Sequence, residues 1–285
     1  MERRSIINTI SDSAAGLYPK REAYAIAYAV AEYFWAFSMA QCLADPHAEV
    51  DVDQEILHNI CRQIANARPV QYITGMAEFY GRRFAVDENV LIPRPETEEL
   101  VQWIISDFRD VAHPNILDIG TGSGVIAISL ALELASSCVT AADISAAALA
   151  VASANARTNN AVVDFRQADV LAADFRNAMP HSEYGIIVSN PPYIPLSEYD
   201  SMCDNVREFE PHTALFVADD DPLVFYREIG CHALELLAVG GRLYFEIHER
   251  FAEEVCRLLE SLGLSDVECR NDINNKPRMV RCVRK

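Results

Sequence analysis

Apolar positions recur at helical spacing through the first part of the chain. Residues 5–11 form one such segment, 19 to about 43 a second, and a third opens at Asp53, which is placed to cap it. In the third, Ile56, Leu57, Ile60, Cys61 and Ile64 share one face, so residues 1–68 predict an all-α domain. From residue 69 to 95 the pattern becomes short extended pieces broken by Pro69, Gly75, Gly81 and Pro93, with Phe79 and Phe84 flanking a turn. That stretch predicts a linking β-hairpin.

Across residues 96–285 the period alternates between strand and helix. Strands are expected at 115–119, 139–142, 162–167, 185–189 and 242–247, and helices from Pro95, Ser123, Ser145, Pro222 and Arg250. Pro95 with Glu96, Glu98 and Glu99 suits the first turn of the helix that ends near Phe108. Such alternation predicts an α/β fold, a doubly wound, mostly parallel sheet that takes ligands at the carboxyl ends of its strands. The last two apolar pieces, 265–270 and 278–283, predict an antiparallel hairpin added at the sheet edge.

Composition narrows the class. A chain of 285 residues, 51% hydrophobic and 23% charged, belongs with folded globular proteins. Its 42 acidic against 24 basic residues give a net charge of −18, which repels a bare phosphate backbone and makes a basic protein the easier partner. The 8 cysteines show no CxxC and no zinc-ligand spacing, and read as reduced core thiols of a cytoplasmic protein. The start, Met1-Glu2-Arg3-Arg4, lacks a signal-peptide core, and the stretch 24–44 carries Glu32, Ser38 and Gln41, so it reads as a buried helix and not a membrane span. Asp219-Asp220-Asp221-Pro222 reads as a helix cap and the 7 histidines are scattered, so no metal is expected.

Two segments carry chemistry. The first expected strand of the sheet runs through Asp118 into Gly120-Thr121-Gly122-Ser123-Gly124, glycines that let backbone approach a ligand and turn into a helix. The third glycine of a dinucleotide fingerprint would fall on Val125, and Asp118 would repel a pyrophosphate; a nucleotide-binding oxidoreductase is thereby disfavoured. A carboxylate there suits a ligand with an ammonium and a sulfonium, as in S-adenosylmethionine. Asp143 ends the next strand, where it can accept from both ribose hydroxyls, or alternatively cap the following helix. Asp169 closes the third strand, placed to take an adenine amino group, with Val170 as an apolar wall.

The second segment is an apolar strand ending in Asn190-Pro191-Pro192-Tyr193. Its prolines fix the backbone and remove two N–H donors, leaving a row of acceptors. A planar amine or amide nitrogen fits: its hydrogens go to the Asn190 oxygen and the Pro191 carbonyl, and Tyr193 covers its flat face. Fixing a reactant in this way is worth about 7 to 11 kcal/mol of a barrier.

These two segments together resemble the class I methyltransferases that act on planar nitrogens of nucleic-acid bases or protein glutamine. The segments Gly75-Met76-Ala77-Glu78-Phe79-Tyr80-Gly81 and Leu91-Ile92-Pro93-Arg94-Pro95-Glu96-Thr97-Glu98 narrow this. With the N-terminal helices, Glu210-Pro211 and Ala214-Leu215, they are similar to the HemK/PrmC release factor glutamine N5-methyltransferases. The resemblance implies that Gly120 to Gly124, Asp143 and Val170 contact S-adenosylmethionine, with Asp118, Asp169 and Asn190 beside it. It implies that Asn190, Pro191, Pro192 and Tyr193 bind the glutamine of a release-factor GGQ motif, Asn190, Pro191 and Tyr193 as the catalytic set. The helical domain would recognise the substrate protein, and the enzyme would be a monomer using neither nucleic acid nor membrane. Val170 stands where some relatives are aromatic, and the tail 272–278 lacks an expected glycine near 275. A nucleic-acid base N-methyltransferase is the alternative, and the charge of −18 opposes the basic groove it needs. An acidic adaptor with a degenerate fold is disfavoured by the intact loop and the Asn-Pro-Pro-Tyr.

Overall fold

The computed structural model describes residues 1–285, which divide into two compact units: Met1–Met76 with Met202–Phe209, and Ala77–Ser201 with Glu210–Lys285. The division puts residues 69–76 with the helices, where the sequence pattern had given them to the hairpin.

The first unit contains α1 (Arg3–Ser13), α2 (Lys20–Trp35), α3 (Met39–Ala44), α4 (Gln54–Ala65) and α5 (Val70–Thr74). Ile6, Ile7 and Ile10 of α1, Ala27 and Val30 of α2, and Leu57, Ile60 and Ile64 of α4 form its core. As expected, the Asp53 side chain accepts from the Glu55 and Ile56 amides. Ile56 departs from the expected face and is exposed. The expected helix 19–43 is two: Ala36 turns left-handed (φ 54°), and Ser38 starts α3 with a capping box closed by Gln41.

The second unit opens with β1 (Met76–Phe79) and β2 (Arg82–Ala85), joined through Tyr80 and Gly81, both at positive φ. There follow α6 (Pro95–Phe108), β3 (Asn115–Ile119), α7 (Val125–Glu133), β4 (Cys138–Asp143), α8 (Ala146–Thr158), β5 (Val163–Gln167), β6 (Tyr184–Ser189) and β7 (Ile194–Pro195). After α9 (Asp204–Arg207), which groups with the first unit, come α10 (His212–Leu215), β8 (Phe216–Val217), α11 (Val224–Leu236), β9 (Leu237–Glu246), α12 (Ala252–Ser261), β10 (Ser265–Asn271) and β11 (Pro277–Val283).

Seven strands form one sheet in the order β10-β11-β9-β6-β3-β4-β5, parallel from β9 to β5 and antiparallel at β11 and β10. Alternate side chains of each strand face opposite layers. Ile116, Ile186, Val188 and Tyr244 pack with α6 and α7; Leu117, Ile187, Leu243 and Phe245 pack with α11 and α12. Both faces are covered, which is why these strands read as continuous apolar runs.

Two local expectations are corrected. Helix α11 begins after Leu223, and Asp221 is not its cap: its carboxylate pairs with Arg227. The cysteines are all free, but only Cys42 and Cys282 are buried. Cys231, for instance, falls off the buried stripe of α11, formed by Tyr226, Ile229, Gly230, Ala233 and Leu236. In the tail loop Asn275 takes the left-handed conformation (φ 59°) that a glycine would have provided, and asparagine tolerates it better than most residues.

Candidate active site

Register places the site. Ile119 at the end of β3 pairs with Ala142 on one side and Ser189 on the other, so Gly120, Asp143 and Asn190 leave the sheet at one level. The chain runs outward from β3 through β4 to β5, then returns to β6 on the other side, so this level is the switch point where open α/β sheets bind ligands. A cavity of about 390 Å3 opens there, a volume suited to a small organic ligand.

The loop after β3 is held from both sides. Gly120 and Gly122 sit at φ 73° and 54°, and a side chain at either would project into open space. The Asp143 carboxylate accepts from the Gly122 amide at 2.9 Å and from the Ser145 amide at 2.9 Å, so it braces the loop and turns the chain toward α8 at once. Ser145 caps α8 by accepting from the Ala148 amide, which leaves Asp143 free of the capping role. Asn155 of α8, a residue the sequence did not single out, donates to the Ser123 carbonyl at 2.9 Å and ties the far end of the loop to β2 through Ala85.

Asp118 lies behind the loop and not on the cavity wall. It is fully buried, accepts from the Thr121 hydroxyl at 2.6 Å and the Ala127 amide at 3.2 Å, and has one oxygen without a partner. Burial raises its pKa from 3.8 to about 7, against the pull of those two bonds, with the charge of Asp143 adding to the rise. The folded value lies above the unfolded one, so this group's stabilisation is complete below about pH 4 and lost as the pH climbs through about 7. Asp118→Asn keeps an oxygen for Thr121 and Ala127 without ionising. It should remove a slope of up to about 1.4 kcal/mol per pH unit from denaturant melts taken between those limits. Identical slopes in the two proteins would show that Asp118 does not titrate there.

Gly120, Thr121, Gly122, Ser123 and Asp143 line the cavity, with Asp169 and Val170 at another wall. Asp169 accepts from the Leu171 amide at 2.9 Å, and the Val170 carbonyl accepts from His232 at 3.0 Å, which fixes the turn after β5. Asn190, Pro191 and Pro192 form the opposite wall; Gly124, Asp118 and Tyr193 are outside the lining. Gly124 instead starts α7 at φ 84°, where a Cβ would meet Ala152 at 3.1 Å.

Behind Asn190 lies a chain of polar groups that local sequence does not reveal. Asn190 Nδ2 donates to Thr97 Oγ1 at 3.4 Å, Thr97 donates to Glu246 Oε2 at 2.6 Å, and the Tyr193 hydroxyl donates to Glu246 Oε1 at 3.1 Å. Burial raises the pKa of Glu246, while Thr97, Arg278 and Tyr193 favour its charged form. Burial also drives the Tyr193 hydroxyl far above its ordinary value, so it stays a donor. Beside this chain, Glu210 is buried and accepts from Arg94 at 2.6 Å and from the Ile92 amide at 3.1 Å. The segment 91–98 therefore has a double role: Pro95 starts α6 as its composition suggests, while Arg94 and Thr97 face the site.

Arg94 is the only cationic side chain on the cavity wall, and Glu210 neutralises it, whereas Asp143 and Asp169 are carboxylates. A wall of this sign, with a glycine cradle and an acceptor at the β4 end, fits a cationic nucleoside such as S-adenosylmethionine.

A doubly wound sheet with a glycine loop after β3, an acid after β4 and Asn-Pro-Pro-Tyr after β6 defines a class I methyltransferase. A family profile described as methyltransferase small domain matches residues 97–204. Among solved structures, a methyltransferase from Pyrococcus furiosus has the same fold, with a TM-score of 0.53 and 16% identity over 72% of this chain and 89% of that one. The release factor glutamine methyltransferase of Flavobacterium psychrophilum is 40% identical over 271 residues, 94% of each chain. That of Bacteroides thetaiotaomicron is 46% identical over 231 residues, 81% of each. The chain belongs to the release factor glutamine methyltransferase family.

Proposed function

We infer that the protein methylates the side-chain nitrogen of the glutamine in the GGQ motif of peptide-chain release factors. The observation that carries this reading is the position of Asn190: it closes β6 on the wall of the same cavity that the glycine loop and Asp143 line, and its Oδ1 accepts no bond from the protein. S-adenosylmethionine, when bound, supplies the methyl group as an electrophile. The loop 120–123 and Asp143 hold it, with Asp169 and Val170 at the adenine end, and Asp118 stiffens the loop from behind. Asn190 Oδ1 and the Pro191 carbonyl accept the two N–H groups of the substrate amide, and Tyr193 supports that turn. These acceptors fix the nitrogen's orientation and draw density onto it, so positioning does most of the work. No side-chain base is required before transfer: the nitrogen's bond to the methyl carbon would form as the sulfur–methyl bond breaks, the demethylated thioether would leave, and the methylated nitrogen would release one proton to solvent.

The helical unit is assigned to recognition of the release factor in the cytoplasm. A net charge of −18 favours a basic protein surface over nucleic acid as partner, and no helix is long and apolar enough to cross a membrane. Mass spectrometry of a release factor incubated with the protein and methyl donor tests the reading. One added methyl on the GGQ peptide is expected; transfer to RNA or DNA instead would move the assignment to base methylation.

Asp143→Ala removes the brace on Gly122 together with the acceptor offered to the ribose. Calorimetry should show cofactor affinity weaker by about 1.5 to 3 kcal/mol, the range for bonds to a charged group. Unchanged affinity would take Asp143 out of the cofactor site.

A further inference from the structure

An asparagine side chain can face a cavity with either end, and only the oxygen can accept a substrate N–H. We propose that Thr97, held by Glu246, is the positioning residue that presents Asn190 oxygen-first to the substrate amide. The polarity follows from the carboxylate. Glu246 ends β9 almost fully buried and, when ionised, can only accept. Thr97, equally buried in the first turn of α6, has one hydroxyl hydrogen and spends it on Glu246 Oε2 at 2.6 Å. Thr97 can then offer Asn190 a lone pair and nothing else. The Asn190 amide must meet it with Nδ2, as the 3.4 Å contact has it, and its oxygen is left for the cavity. A reversed amide would set two acceptors against each other. The same carboxylate takes the Tyr193 hydroxyl on its other oxygen, so both ends of the Asn-Pro-Pro-Tyr turn refer to one buried group.

This inference rests on the reading of Asn190 as an acceptor for the substrate amide, and Asn190→Ala is the control for that reading. Thr97→Val keeps the branched shape and removes both hydrogen-bonding roles, while Thr97→Ser keeps both. Thr97→Val should lower kcat on release factor about tenfold, with KM and the calorimetric affinity for S-adenosylmethionine within about twofold of wild type. Thr97→Ser should recover kcat to within about threefold of wild type. The NMR signals of the Asn190 side-chain NH2 should shift in Thr97→Val and return in Thr97→Ser. Should Thr97→Val not bind cofactor, Thr97→Ala carries the test with the same expectation. If Asn190→Ala keeps the wild-type rate, the reading of the site fails and this inference with it. If Asn190→Ala is impaired while Thr97→Val keeps wild-type kcat, or if Val and Ser are impaired equally, the positioning role alone is overturned.

Discussion

Asn190→Ala should lower single-turnover methylation of a release factor by about a hundredfold, or about 2.7 kcal/mol of barrier, while cofactor affinity changes by no more than about threefold. The variant removes one of two acceptors at the end of β6. The substrate amide would keep its bond to the Pro191 carbonyl and gain rotation about it, so its nitrogen would spend most of its time out of line. The backbone of the turn is fixed by two prolines, and Ser189 anchors the strand end by donating to the Ile119 carbonyl at 2.7 Å, so the fold should survive. In the proposed reading the cofactor is held by the loop after β3 and by Asp143, whose bonds to the Gly122 and Ser145 amides do not pass through Asn190. Single-turnover rates and calorimetry on the same preparation separate the two effects. A wild-type rate would mean that the amide is oriented by other groups.

The parallel sheet was legible in the sequence because its central strands β3, β4 and β6 are buried on both faces and read as apolar runs, and because the helix after β4 carries its own start signal. Ser145 is that signal, accepting from the Ala148 amide as a cap should. The glycine loop and the Asn-Pro-Pro-Tyr turn were legible for a related reason: each is a contiguous segment whose backbone needs are written in glycine and proline. Helix α5 was not read, although Pro69 precedes it and Gly75 ends it at φ 69°; over five residues the same signals suit a turn.

The polar chain behind Asn190 could not be found by any local rule. Thr97 and Glu246 lie 149 positions apart, and Asn190 and Thr97 lie 93 apart; only the placing of β6 beside β9, with α6 over that face, brings them together. Thr97 fell in the segment 91–98 that carries the family resemblance but had no role of its own there, and Glu246 was one position within the strand expected at 242–247. Asp118 shows the converse. Its sequence position beside the loop suggested a cavity carboxylate, but its side chain is turned to Thr121 and the Ala127 amide at the start of α7. The acid therefore stiffens the loop from behind, through Thr121, without itself lining the cavity.

The largest loss of stability is expected from Asn155→Ala, a neutral residue outside the cavity lining. Asn155 is buried, and every polar group of its amide is used: Nδ2 donates to the Ala85 carbonyl at 3.0 Å and to the Ser123 carbonyl at 2.9 Å, while Oδ1 accepts from the Ala85 amide at 2.7 Å. It joins α8, the hairpin strand β2 and the end of the glycine loop, elements that no sheet ladder connects. Alanine leaves three backbone groups without a partner. Water can reach Ala85, which is exposed, but the Ser123 carbonyl bond is buried, and a buried group left unpaired costs about 1–3 kcal/mol. With the lost bonds at Ala85 the total should be about 3 kcal/mol, read as a melting temperature lower by about 2–4 °C per kcal/mol for a unit of this size. Cofactor affinity should fall with it, because Ser123 is the lining residue that this bond holds. Asn155→Asp separates hydrogen-bond polarity from space filling. It keeps the acceptor for the Ala85 amide but sets a carboxylate oxygen against two carbonyls, so it should be no more stable than the alanine variant at neutral pH. A wild-type melt for Asn155→Asp would show that the side chain only fills space between α8 and the loop.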